Sequence, residues 1–121
     1  MERLLQLVNA DARLVWRGRF VDTIFLVEVG DTSWLIKVNA GRIAAVTRGP
    51  FAMPSWTFAL RAPREAWETF WLPDPPAGFH DLFALVKRRA LRIEGNLHPF
   101  MSNLLYFKDV MAALRTREAV K

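Results

Sequence analysis

The chain has 121 residues, of which 52% are hydrophobic and 24% charged, with a formal net charge of +5. This size and apolar content indicate one domain, residues 1–121, with a real core, and exclude a disordered tail. The absence of cysteine excludes disulfides, thiolate catalysis and cysteine-ligated metal, and is compatible with a reducing cytoplasm. Because we find neither a targeting segment nor an apolar run of about 18 residues, we expect a cytoplasmic protein without an integral membrane segment.

Alternating apolar residues predict strands in the first half of the chain. Residues 2–8 suggest a short helical lead-in, and residues 13–17 suggest a first strand. Residues 20–29 predict a strand whose odd-numbered positions, from Val21 to Val29, share one face. Strands over residues 34–39 and 42–47 follow, the second with Ile43 and Ala45 on one face. Their hairpin-like spacing makes an antiparallel meander the simplest topology.

The second half alternates between helices and strands. Two prolines in residues 49–54 interrupt the sheet, and residues 56–60 resume the alternation of a fourth strand. Pro63 opens a helix, and a proline-rich connector over residues 72–78 leads to another helix at residues 79–90. A strand over residues 91–95 and a final helix from about Ser102 complete the chain. The inward residues of that helix are predicted to be Leu104, Leu105, Phe107, Met111 and Leu114.

This order of elements predicts an α+β fold, in which a curved sheet has helices packed on one face. The last strand could pair at an edge or between earlier strands, and it could run parallel to one of them.

Catalytic residue patterns are not evident. The two histidines, His80 and His98, are 18 residues apart and could supply at most half of a metal site. No serine lies in a nucleophile elbow, and the dispersed glycines form no phosphate loop. Because the aromatic residues fall mostly at core-facing positions and the basic residues opposite them, a nucleic-acid groove is not expected. We therefore expect no catalytic residue, no cofactor and no nucleic-acid partner.

From Trp34 onward the chain resembles the sterol carrier protein type 2 family of lipid-binding domains. The matching segments are Trp34–Gly41, Pro63–Phe70 and Ala84–Met111, the last of which includes the late strand and turn Arg89–Asn96. The resemblance implies a mixed, largely antiparallel five-stranded sheet covered by helices, with an apolar tunnel between them for acyl chains or sterols. The short lead-in suggests that an N-terminal helix of the family is truncated or missing.

Two functional hypotheses follow. The first is a non-catalytic lipid-binding or carrier module for a fatty acid, acyl-CoA, phospholipid or sterol-like molecule. Arg88 and Arg89 are the candidates for holding a charged headgroup. The candidate cavity residues are Trp56, Phe58, Trp67, Phe70, Phe79, Phe83, Val86, Met101, Leu104, Phe107 and Met111.

The second hypothesis is a protein-interaction or accessory module in which the same rings fill the cavity. An apolar patch around Trp67, Phe70 and Trp71 would then contact a partner enzyme or a second copy in a homodimer. Aromatic residues at these positions are more often plain core than cavity wall, so the sequence leaves open whether they line a space or fill one.

Overall fold

The computed structural model describes residues 1–52 and 55–119, with side chains described as far as Arg115. Within these residues a five-stranded sheet is combined with helices that precede, interrupt and follow it. The elements in chain order are α1 (Leu4–Asn9), α2 (Ala12–Arg17), β1 (Asp22–Val29), β2 (Thr32–Asn39), β3 (Arg42–Arg48), β4 (Phe58–Ala62), α3 (Arg64–Phe70), α4 (Leu82–Lys87), β5 (Arg92–Gly95), α5 (His98–Ser102) and α6 (Leu104–Ala119).

The strand order across the sheet is β3-β2-β1-β4-β5. The first three strands form the predicted antiparallel meander, but β4 pairs with β1 in parallel, with Phe25 opposite Phe58. The meander prediction is therefore wrong for β4, because the chain after β3 crosses the sheet before pairing. The last strand, β5, pairs antiparallel with β4 at the edge. The predicted α+β class, with a mixed and largely antiparallel sheet, is confirmed.

The predicted strand at residues 13–17 is wrong, because these residues form α2. Asp11 caps this helix, its side chain accepting a hydrogen bond from the backbone N–H of Leu14 at 3.2 Å. Because α2 has only six residues and buries only Leu14, its sequence shows no clear helical period of apolar residues. The predicted lead-in is also helical, as α1. The chain thus begins with two helices, where we expected the N-terminal helix to be truncated or missing.

The helices cover the inner face of the sheet. Val21, Phe25, Val27 and Val29 lie on this face as predicted, and Ile36 and Val38 continue it on β2. The prediction that Ile43 and Ala45 share one face of β3 is wrong, because a β-bulge shifts the register between β2 and β3. Val38 lies opposite Ile43, but Ile36 lies opposite Val46, so Val46 replaces Ala45 on the inner face.

The closing segment differs from its predicted form in two ways. The helix expected from Phe79 begins at Leu82, because Asp81 caps it by accepting a hydrogen bond from the N–H of Phe83. The final helix is split at Asn103 into α5 and α6, which changes the helical phase. Leu105 is consequently 65% exposed and not inward, whereas Phe107 and Met111 are buried as predicted.

No helix among residues 1–52 and 55–119 combines the length and the apolar character needed to cross a membrane.

Candidate apolar ligand site

Four phenylalanine rings fill the space between the sheet and the closing helices. The ring of Phe25 on β1 stacks on that of Phe58 on β4, with centroids 5.1 Å apart. Phe107 of α6 meets both rings edge-on, at 5.4 and 5.1 Å. Phe100 of α5 completes the group, 5.3 Å from Phe58 and 5.8 Å from Phe107. All four residues are fully buried, and we call them the ring cluster.

The structure brings many of the predicted cavity residues together around this space. Phe58 and Phe107 belong to the ring cluster, and Phe83 borders it through Phe100, with ring centroids 6.2 Å apart. A second aromatic group lies beside α3, where the buried Trp67 contacts Phe70 and stacks on the half-buried Trp71 at 5.2 Å. The indole N–H of Trp71 donates to the backbone carbonyl of Met111 at 2.9 Å, which joins α3 to α6. Val86 packs against the same core.

Other predicted site residues lie away from the ring cluster. Trp56 borders a cleft of about 520 Å³ on the outer face of the sheet, together with Leu26 and Arg61. Its ring centroid is 5.7 Å from the Arg61 guanidinium, so it does not share the inner face with Phe58 as the alternation predicted. The guanidinium of Arg88 lies over the ring of Phe79 at 4.5 Å, in the segment around α4.

Arg89 borders a cleft with Glu28 and Pro63, near the end of β4 opposite Phe58. Arg88 and Arg89 are both exposed, and they lie apart from Met101 and Leu104.

Met101 and Leu104 meet at a surface cleft of about 420 Å³, formed where α5 turns into α6. We call this cleft the α5–α6 notch. Its walls also include Leu105 and Tyr106, together with the polar residues Ser102 and Asn103 and with Arg17 of α2. Met101 is 52% exposed, so the notch presents apolar side chains to solvent. Phe100 and Phe107, adjacent in sequence to Met101 and Tyr106, are fully buried.

The buried core is apolar in character. Within the described residues no buried residue is charged, and Tyr106 contributes a hydroxyl that donates to the Gly41 carbonyl oxygen at 2.7 Å. Burial raises the pKa of the Tyr106 hydroxyl above its ordinary value, because the phenolate would lose its hydration. In the described part of the chain, no three His, Cys, Asp or Glu residues are grouped as metal ligands.

Packed rings occupy the place where an open tunnel was expected. The described residues form at least five surface clefts, and none of these five is bordered by a member of the ring cluster. An apolar chain that entered through any of these five clefts would therefore have to move rings aside to reach the interior.

Sequence reasoning did not nominate Phe25, Phe100, Tyr106 or Arg17 for the site. The apolar face of β1 marked Phe25 as buried, but its contact with Phe58 depends on the parallel pairing of β1 and β4. Arg17 was assigned to a strand and reaches the notch because α2 is a helix beside α6.

No protein-family model matches the sequence, and no curated protein is significantly similar to it. Solved structures do resemble it. The crystal structure of sterol carrier protein 2 matches with a TM-score of 0.74 and 9% identity, covering 93% of this chain and 90% of that chain. The UbiJ-SCP2 ubiquinone synthesis protein matches with a TM-score of 0.59 and 17% identity, covering 95% and 88%.

A solution structure from Thermus thermophilus also matches, with a TM-score of 0.64 and 10% identity over 93% of this chain and 84% of that chain. It is described as a conserved hypothetical protein and a candidate sterol carrier protein. At such low identities the similarity establishes the backbone architecture. Together with the observed sheet order and helix placement, these matches show that the chain has the sterol carrier protein 2 fold.

Proposed function

We propose that this protein is a non-catalytic lipid-binding or carrier module, which holds a long apolar chain between the sheet and helices α5 and α6. One observation carries the proposal: Met101 and Leu104 meet at a solvent-exposed notch of mixed apolar and polar lining, and Phe100 and Phe107, next in sequence to its walls, belong to an interior of aromatic rings that holds no charged side chain among the described residues. Similarity in fold to sterol carrier protein 2 supports it. The ligand classes considered are a fatty acid, an acyl-CoA, a phospholipid and a sterol-like molecule.

Burial of the apolar chain provides the driving force. Each methylene that leaves water contributes about 0.8 kcal/mol, so a chain of a dozen methylenes could offset the cost of displacing packed rings. The short helix α5 carries Phe100 inward and Met101 outward, so a shift of this helix would open the notch toward the ring cluster. Met101 and Met111 suit a space that changes shape, because methionine side chains adapt to irregular partners.

A charged headgroup would remain at the surface. Arg17 lies at the rim of the α5–α6 notch and is ion-paired with Asp109. This position is closer to the proposed entrance than the exposed Arg88 and Arg89, which would require an entrance elsewhere on the molecule. Arg17 is therefore the better candidate for contact with a carboxylate or phosphate.

Native mass spectrometry of gently purified protein, followed by organic extraction, tests the proposal directly. We expect a bound apolar molecule, and we expect long-chain acyl ligands to change the tryptophan fluorescence. The variant Met101→Asp should weaken acyl binding by about tenfold or more, because the carboxylate must be desolvated at the entrance. Leu72→Asp is the matched control, since Leu72 is also exposed but does not border the notch. An empty protein whose fluorescence ignores acyl ligands would contradict the proposal.

The filled interior also supports the accessory-module hypothesis, with a different contact surface. The expected patch at Trp67, Phe70 and Trp71 is not available, since the first two residues are buried and the third is half-buried. Trp16 and Phe20 are instead 65% and 83% exposed near the end of α2. A homodimer or a partner enzyme could bind there. Sedimentation velocity of wild type and a Trp16→Ser, Phe20→Ser variant would detect self-association through this surface, and a monomer in both would exclude the homodimer.

A further inference from the structure

The four rings of the ring cluster stand on elements of very different size. Phe25 and Phe58 belong to adjacent paired strands, and their rings stack with an interplanar angle of 10°. Phe107 belongs to α6, a helix of 16 residues, whereas Phe100 belongs to α5, a helix of five residues. A short helix separates from its surroundings at a lower free-energy cost than a paired strand or a long helix, because it has fewer buried contacts to break. Phe100 is therefore the member of the ring cluster that can leave its place with the smallest change in backbone.

Two links connect the ring cluster to the α5–α6 notch. Met101, a wall of the notch, directly follows Phe100 on α5. The ring of Tyr106, another wall, meets that of Phe107 edge-on, with centroids 5.2 Å apart. Phe100 is fully buried and Met101 is 52% exposed, so one short helix carries both a ring of the interior and a side chain of the notch. A displacement of α5 therefore moves both together.

The space that Phe100 occupies has the width of one aromatic ring. Its ring centroid lies 5.3 Å from that of Phe58, 5.8 Å from that of Phe107 and 6.2 Å from that of Phe83. Rings in direct contact have centroids about 4.5–7 Å apart, so these neighbours enclose Phe100 without space for a further group between them. When Phe100 moves out, it leaves a slot one ring wide that is bordered by the other three rings.

The width of this slot separates the candidate ligands by shape. An unbranched acyl chain is narrower than a phenyl ring and can bend at each methylene, so it can take the place of Phe100 alone. A sterol-like body is rigid and longer than one ring, so it would also have to displace Phe58 or Phe107. Each further ring that leaves a close-packed core gives up its burial and its packing, so the cost rises with the number of rings displaced.

We propose that Phe100 is the gate of the interior site, and that the slot behind it admits an unbranched acyl chain but not a sterol-like ring system. This inference rests on the proposed lipid-binding function and narrows its ligand class. In the ligand-free chain the ring of Phe100 closes the slot. On binding, Phe100 moves outward with Met101, and the acyl methylenes take its place against Phe58, Phe83 and Phe107. A charged headgroup stays outside, since the described part of the buried core holds no charged residue to pair with it.

The test compares three labelled probes, each delivered from cyclodextrin to the full chain: hexadecanoate, hexadecanoate with four methyl branches along its chain, and cholesterol. The first two share a headgroup and a backbone length and differ in width. Methyl branches add apolar surface, which would strengthen binding to a site without a width limit. Wild type should instead bind the unbranched probe about tenfold or more tighter than either wider probe. In Phe83→Ala, which widens the slot, the affinities for the branched and unbranched probes should become similar.

Phe100→Ala tests the gate itself. A closed gate lowers the apparent affinity, because only the open fraction of the protein binds ligand. Removing the ring should therefore strengthen hexadecanoate binding by about three- to tenfold, although it lowers the melting temperature of the ligand-free protein. Truncation of a side chain that only lines the site would weaken binding.

Phe70→Ala is the matched control, since this ring of α3 is also buried. It should lower the melting temperature without strengthening the binding of hexadecanoate. Should Phe100→Ala fail to fold, Phe100→Leu should change the affinity in the same direction by a smaller factor.

The outcomes separate this inference from the proposed function. If wild type binds a wider probe as tightly as hexadecanoate, or if Phe100→Ala binds hexadecanoate no more tightly than wild type, lipid binds without this gate. The inference is then wrong and the proposed function stands. If wild type binds none of the three, the proposed function fails and this inference fails with it.

Discussion

Tyr106 joins three parts of the chain that are distant in sequence. Its hydroxyl donates to the Gly41 carbonyl in the β2–β3 turn, and its ring lies against the backbone of Gly18 after α2. A Cβ on Gly18 would collide with that ring, so glycine is required there by space and not by its φ of −97°. Gly41 does need its positive φ of +82°, and a Cβ there would also meet the Val15 carbonyl oxygen.

Tyr106→Phe should lower the free energy of unfolding at neutral pH by about 1–2 kcal/mol, because the buried Gly41 carbonyl loses its donor. Burial raises the pKa of the Tyr106 hydroxyl in the folded state, so its contribution to stability is fully present below the unfolded pKa of about 10. Above that pH the unfolded chain ionises first and wild type loses stability, so the difference from Tyr106→Phe should narrow.

Urea denaturation at a series of pH values measures both the stability lost in Tyr106→Phe at neutral pH and the narrowing of that difference at high pH. Since Tyr106 is the chain's single tyrosine, phenolate absorbance reports its ionisation directly. If the Tyr106 hydroxyl of the native protein titrated near the ordinary tyrosine pKa of about 10, the argument that burial raises its pKa would be contradicted.

At the level of elements, α1 protects the edge strand β3. The Asn9 side chain accepts the Ile43 N–H at 2.8 Å and donates to the Ile43 carbonyl at 3.0 Å. One amide thus satisfies both outward-facing backbone groups of an edge residue, as a neighbouring strand would. Exposed edges of this kind can pair with other chains, so the helix also limits association through β3.

Asn9→Ala should destabilise the fold by about 1–2 kcal/mol, since two backbone groups at a half-buried site lose their partners. Chemical denaturation measures the loss, and light scattering at rising protein concentration should show increased aggregation through the open edge. Asn39→Ala is a matched control at an exposed position and should change stability by less than about 0.5 kcal/mol. Equal effects of the two substitutions would argue against the role of Asn9.

At the scale of the whole molecule, the ring cluster connects the sheet to its closing helices. β1, β4, α5 and α6 each contribute one ring to it, and Phe107 contacts the other three. The parallel pairing of β1 and β4 brings Phe25 onto Phe58, and the break at Asn103 allows α5 and α6 to present separate rings. Stability and the proposed binding therefore depend on the same group of side chains.

Phe107→Ala should cost about 3–5 kcal/mol, because it removes a buried ring and leaves a cavity among the other three. Phe20→Ala is the control, since that ring is 83% exposed, and it should cost less than about 0.5 kcal/mol. Urea denaturation gives both values. Should Phe107→Ala fail to fold, Phe107→Leu provides a milder version of the same test. A small loss for the buried substitution would mean that the interior is already loosely packed.

Local patterns were sufficient for much of the architecture. The odd-numbered residues of β1, the hairpin through β2 and β3, the helix after Pro63 and the edge-compatible strand β5 were predicted from side-chain period and turn residues. The predictions were wrong where the local sequence signal is short or ambiguous. Helix α2, predicted as a strand, spans only six residues, the β3 bulge adds one residue to the strand, and the break at Asn103 turns Leu105 outward.

The sequence by itself determined an apolar, cysteine-free α+β chain whose rings face inward, because residue type and periodicity are local properties that any chain conformation must respect. Tertiary structure decided which rings meet. The parallel crossover to β4 depends on contacts between residues more than thirty positions apart, as with Phe25 and Phe58, and local periodicity carries no information about such pairs. For the same reason, only the packed chain shows that these rings fill the interior and that Met101 and Leu104 meet at the α5–α6 notch.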